Sequence, residues 1–156
     1  MRSTDESDSI ASLDKPSGCS MAPSWKTRII AFCCNWCAYA GADLAGVNRR
    51  QYSPEVKILR LMCSGRISPG IILKAFASGA DGILVLGCHP GDCHYQIGNL
   101  YAEKRVEQVR ELLDLVGVDD LRLRLEWISA AEGEKFGRTI DEFVMTVRKL
   151  GPLGGI

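Results

Sequence analysis

Gly82-Ile83-Leu84-Val85-Leu86-Gly87-Cys88 is the stretch that decides the fold. Four branched apolar residues follow one another with no polar interruption, and glycines bound them on both sides. The run is too short for a buried helix, and it lacks the alternation of a strand with one wet face. It reads as a strand covered on both faces, the situation of a parallel strand lying under helices. Working outward, Thr27 to Cys34 (TRIIAFCC) and Val56 to Cys63 (VKILRLMC) are two further apolar runs on the amino-terminal side. On the other side, Arg122 to Ser129 (RLRLEWIS) alternates polar and apolar positions and suits an edge strand.

The segments between these runs carry helix signals. Ser68 before Pro69 is an N-cap followed by proline at the first helical position, and Ile71, Ile72, Ala75 and Phe76 supply a short apolar stripe that Gly79 closes. Ala102, Val106, Val109, Leu113 and Val116 recur at three- and four-residue steps and end at Gly117-Val118, the glycine-then-apolar mark of a helix C-terminus. Ser129 with Glu132 forms a capping box before Phe136, Ile140, Phe143, Val144 and Val147. Trp36 to Arg49 is a weaker helix, favoured by Ala38, Ala42 and Ala45. Four strands alternating with four helices predict a single α/β domain: a four-stranded parallel sheet in the order 2-1-3-4, doubly wound, with flanking helices. Such sheets bind ligands beyond the carboxyl ends of their strands, where the winding reverses between strands 1 and 3.

At 156 residues and 46% hydrophobic content the chain suffices for one buried core and not for two. Residues 1–26 are rich in Ser, Asp and Pro and read as a disordered tail; 27–150 form the domain, and the glycine-rich 151–156 a flexible end. The opening lacks the features of a secretory signal, and no apolar run is long enough to span a membrane, so a soluble cytoplasmic protein is expected. Nineteen basic and 19 acidic side chains balance, leaving no field to attract nucleic acid or an anionic membrane. Partners are expected to be proteins.

Six of the seven cysteines stand where apolar runs stop: Cys33, Cys34 and Cys37, then Cys63, then Cys88 and Cys93. In a reducing compartment an odd number of thiols, clustered, points to metal or redox chemistry and away from a disulfide framework. Cys34 and Cys37 make a CxxC pair at a strand-to-helix turn. Cys88 and Cys93 bracket the sharp turn His89-Pro90-Gly91-Asp92, and Cys63 ends the neighbouring strand. If the strands are parallel, five thiols meet at one edge. Cys33 points to the opposite face of strand 1 and reads as core, and Cys19 as an incidental thiol of the tail. Five thiolates suit an iron-sulfur cluster, four of them completing a two-iron centre, and they remove the need for a histidine ligand from His89 or His94. Those histidines are expected beside the cluster, with Arg66 as a cation near it. A structural zinc, a metal-free redox dithiol at Cys34 and Cys37, or cysteines buried simply as apolar side chains are the alternatives. The glycines make no nucleotide-binding pattern.

At CNWCAYAGADLAG (34–46), RLMCSGRISPGIILKAFASGADGILVLGCHPGDCHY (60–95) and the helix that follows, the chain closely resembles the delta subunit of methyl-viologen-reducing hydrogenase. The resemblance covers about residues 27 to 150. It implies an iron-sulfur protein with a 2Fe-2S cluster, whose cysteines fall on Cys34, Cys37, Cys63, Cys88 and Cys93. It further implies single-electron relay between a hydrogenase, or a formate dehydrogenase, and a flavin-containing heterodisulfide reductase A-type flavoprotein, with no catalysis by the chain alone. Rival expectations are a CxxC thiol-disulfide oxidoreductase and a zinc-stabilised adaptor.

Overall fold

In a computed structural model of the chain, residues 25–154 are described. Cys19 and the first 24 residues of the expected tail lie outside them. Four strands, β1 (Ile29–Cys34), β2 (Val56–Leu61), β3 (Gly82–Gly87) and β4 (Leu123–Trp127), pair in the order β2-β1-β3-β4. Every pairing is parallel. This is the predicted sheet.

Helices α1 (Ala38–Val47), α2 (Pro69–Ala77), α3 (Gly98–Leu115) and α4 (Gly133–Leu150) connect and cover the strands. Alternation along β1 and β3 sorts the core into two layers. Ile29, Ala31, Cys33, Leu84 and Leu86 face α1 and α4, where they meet Ala38, Ala42, Phe136, Ile140 and Phe143. Phe32, Ile83 and Val85 face α2 and α3, packing on Ile72, Phe76, Ala102, Val106 and Val109. All six residues of β3 are buried, as a strand between two helical layers must be. The edge strand β2 instead has only half-buried and exposed positions, none fully buried.

The local signals explain the element ends. The Ser68 hydroxyl accepts the Ile71 N–H at 3.4 Å and starts α2. Gly117 adopts φ +73°, letting the Val118 N–H return to the Leu113 carbonyl at 2.9 Å and close α3. At the amino ends of the strands Asp81 is buried, accepting the N–H groups of Arg28 at 2.8 Å and Leu153 at 3.0 Å. The carboxyl ends, at the opposite edge, carry the thiols.

Candidate metal centre

Each cysteine of the site arrives on a different piece of backbone. Cys34 is the last residue of β1, in register with Leu61 of β2, and Cys37 follows in the turn into α1. Cys63 lies just past β2 and caps a single 3-10 turn at Ser64–Arg66, its sulfur accepting the Gly65 N–H at 3.4 Å. Cys88 follows β3, and Cys93 returns at the end of the His89–Asp92 turn. Parallel strands end together, so five side chains from three connections meet: Cys34, Cys37, Cys63, Cys88 and Cys93 pack as one buried cluster.

Within it, the sulfurs of Cys34, Cys37 and Cys88 lie within 4.8 Å of one another. Cys34 and Cys88 are 3.6 Å apart. Cys37 and Cys88 are at bonding distance and form a disulfide, with their Cα atoms 5.4 Å apart. Nothing in the sequence signals that pairing, and it joins Cys37 to Cys88, not to its CxxC neighbour Cys34. Thiols of separate connections held this close are placed either to bond to one another or to share one metal. Cys63 sits beside Cys93 and Cys34, and burial pushes its thiol pKa up, against the pull of the Gly65 N–H. Cys33 belongs to the core layer under α1 and α4; burial first, then neighbouring Cys34, pushes its thiol up to about 12.

The other expected site residues, Arg66, His94 and His89, have the following neighbours. Arg66 is exposed and lines a cavity of about 490 Å³ with Met62, Cys63 and Tyr95. His94 stacks on Trp36, ring centroids 3.9 Å apart, and meets Tyr95 edge-on. His89 is engaged elsewhere, its Nε2 lying 2.7 Å from the Glu132 carboxylate. The same carboxylate oxygen accepts the Ser129 N–H at 2.7 Å. One arm of the expected capping box is thus present, and α4 begins only at Gly133.

Two neighbours of the site were invisible to sequence reasoning. A Cβ on Gly98, the first residue of α3, would overlap the Cys63 sulfur and lie 3.2 Å from that of Cys93. Asn99 is fully buried; its amide nitrogen donates to the carbonyls of Cys88 at 3.2 Å and His89 at 2.9 Å. Both residues precede the apolar stripe that begins at Ala102, so periodicity had nothing to say of them.

The chain matches the family described as methyl-viologen-reducing hydrogenase, delta subunit, over residues 29–151. It belongs to that family. This delta-family chain is 52% identical over 132 residues to the D-type iron-sulfur subunit of the vhc F420-non-reducing hydrogenase of Methanococcus voltae, covering 85% of the chain and 92% of the relative. It is 48% identical over 132 residues to the D-type iron-sulfur subunit of the F420-non-reducing hydrogenase of Archaeoglobus profundus, covering 85% of the chain and 96% of the relative. It is also 49% identical over 126 residues to the A-type subunit of the ferredoxin/F420H2-dependent CoB-CoM heterodisulfide reductase of Methanosarcina acetivorans. There the match covers 81% of the chain and only 16% of the relative.

The donor set of this delta-family chain is soft and dry. All five cysteines are at most 8% exposed. Among the described residues, the atoms close enough to share one ion are the sulfurs of Cys34, Cys37 and Cys88, with no carboxylate or imidazole among them, and reduction of the Cys37–Cys88 disulfide would make all three thiol donors. Such a set fits an iron-sulfur cluster or a thiolate-bound zinc, and does not fit a hard cation such as magnesium or calcium.

Proposed function

We propose that this chain is the electron-transfer subunit of a larger oxidoreductase, holding one 2Fe-2S cluster on four of the five cysteines Cys34, Cys37, Cys63, Cys88 and Cys93, once a two-electron thiol reductant has opened the Cys37–Cys88 disulfide to two thiols. The observation that carries this reading is the convergence of those five buried sulfurs at the carboxyl edge of one parallel sheet. Such a cluster, when bound, accepts and returns single electrons. The protein contributes thiolates, a water-poor pocket and a fixed scaffold, and bond-making chemistry belongs to the partners. The cluster-bearing domain is assigned to residues 27–150 and its compartment to the cytoplasm. No described helix is long and apolar enough to cross a membrane.

The proposed partners are a hydrogenase or formate dehydrogenase on one side and a heterodisulfide reductase A-type flavoprotein on the other. Two kinds of relative support this. Those named as hydrogenase iron-sulfur subunits are matched over nearly their whole length, whereas the heterodisulfide reductase relative is matched over a small part of its own. A module that is a separate chain in one setting and a segment of a larger chain in another works beside that larger chain in both. Contact is proposed where Met62, Trp36 and Tyr95, each about half exposed, flank the thiols.

Anaerobic purification followed by metal and sulfide analysis is the test. Two irons and two sulfides per chain are expected, lost together with the visible absorbance in four of the five single Cys→Ser variants and retained in Cys33→Ala. Zinc in place of iron, or a metal-free chain that carries electrons at full rate, would sink the reading. The rival thiol-disulfide oxidoreductase predicts that Cys63→Ser leaves activity intact.

A further inference from the structure

Asn99 is the second residue of α3 and is completely buried. Its amide nitrogen donates to two successive carbonyls, Cys88 at 3.2 Å and His89 at 2.9 Å, and its Oδ1 accepts the Leu100 N–H at 3.0 Å. An asparagine amide offers two N–H donors and one oxygen, and here all of them are used. Only the bond to Leu100 serves the helix itself, by satisfying a first-turn N–H that lacks an intrahelical partner. The other two leave the helix and grip the backbone at the point where β3 becomes the thiol-bearing loop. Burying an amide at a helix start costs desolvation that these bonds offset; an apolar side chain would take the donor from the Cys88 carbonyl and leave the His89 carbonyl only the Asp92 N–H, at 3.0 Å.

The neighbouring residue makes the placement specific. Gly98 lies against the sulfurs of Cys63 and Cys93, so close that a methyl group there would overlap the first. The dipeptide Gly98-Asn99 therefore sets three thiols of the site relative to the start of α3: two through their sulfurs, one through its own carbonyl. Cys88 is the cysteine whose sulfur is bonded to that of Cys37 and lies 3.6 Å from that of Cys34. The carbonyl that Asn99 holds belongs to the same residue, so the bond fixes where the Cys88 backbone sits at the end of β3.

We propose that Asn99 is a positioning residue for the iron-sulfur centre, holding the Cys88 backbone so that its sulfur stays in register with those of Cys34 and Cys37. This rests on the reading of the thiols as cluster ligands. The test uses the full chain, loaded anaerobically with iron and sulfide, as wild type, Asn99→Ala, Asn99→Leu and Asn99→Gln. A core variant far from the sulfurs, Ile72→Val in the layer under α2, is the control for stability alone. Ala and Leu are expected to lose iron to a chelator about 10- to 100-fold more readily, the usual size of an effect from a group that orients a metal ligand. They should also shift the electron paramagnetic resonance g values of the reduced cluster. Gln, which keeps a donor amide, should recover part of both, and the control should keep wild-type g values despite a lower melting temperature. If Leu does not fold, Ala against Gln decides. Wild-type iron retention and g values in Ala would overturn the proposal while leaving the cluster reading intact; failure of the wild type to take up iron and sulfide would overturn both.

Discussion

At the scale of single residues, Glu132 binds two donors through one carboxylate oxygen. Donation by the Ser129 N–H, then by His89, holds its pKa down at about 2, from an ordinary 4.5. A carboxyl whose folded pKa is depressed stabilises the fold above its unfolded pKa, and that stabilisation fades as pH falls from about 4.5 towards 2. Glu132 is a third exposed, so solvent screening keeps the contribution to about 1 kcal/mol. Glu132→Gln is expected to lower unfolding free energy by about that amount at pH 7, with the gap to wild type narrowing below pH about 4. Urea titrations at pH 7 and pH 3 check it; a gap of the same size at both would show that the charge is not what matters. Residue-scale legibility was uneven. Period-two alternation sufficed to send Cys33 into the core and Cys34 into the site. Nothing local marks Glu132 as a tie to His89, because the two are 43 residues apart and meet only when β3 and β4 are neighbours.

At the scale of elements, the start of α3 is packed closely against the site. Gly98 faces the Cys63 sulfur, and a Cβ on Gly65 would come within 2.7 Å of the Gly98 carbonyl. Gly98→Ala would favour the isolated helix, yet in place it should cost about 1–3 kcal/mol through overpacking against the sulfurs. The expected outcome is a chain with undiminished helix content by circular dichroism and sharply reduced iron uptake; full uptake would mean that the sulfurs can move aside freely. Helix α3 begins four residues before its apolar stripe, with Ile97 at the cap position and no side-chain cap. Contacts with other elements, not a local signal, set that boundary. By contrast α2, whose start Ser68 and Pro69 mark in the sequence, begins where its own residues say it should.

At the scale of the whole molecule, strand order, direction and the gathering of thiols at one edge were all readable in advance, because they follow from βαβ handedness and the position of each cysteine at the end of its run. The Cys37–Cys88 pairing was not, since it depends on how two turns fold back over the sheet edge. If the half-exposed Trp36 and Tyr95 anchor a partner, Trp36→Ala and Tyr95→Ala should each weaken binding to a heterodisulfide reductase A-type flavoprotein by about tenfold or more. Iron content should not change. Calorimetric titration against that flavoprotein checks this, and unaltered affinity in both variants would move the docking face elsewhere.

The thiols are drawn from connections that span Cys34 to Cys93, and the helix that seats two of them starts only at Gly98. On the reading proposed above, a ribosome must therefore have delivered the polypeptide past Gly98 before the pocket exists at all. Cofactor insertion is then a late event in biogenesis, and a prematurely terminated product would be left with cysteines and no place to put iron.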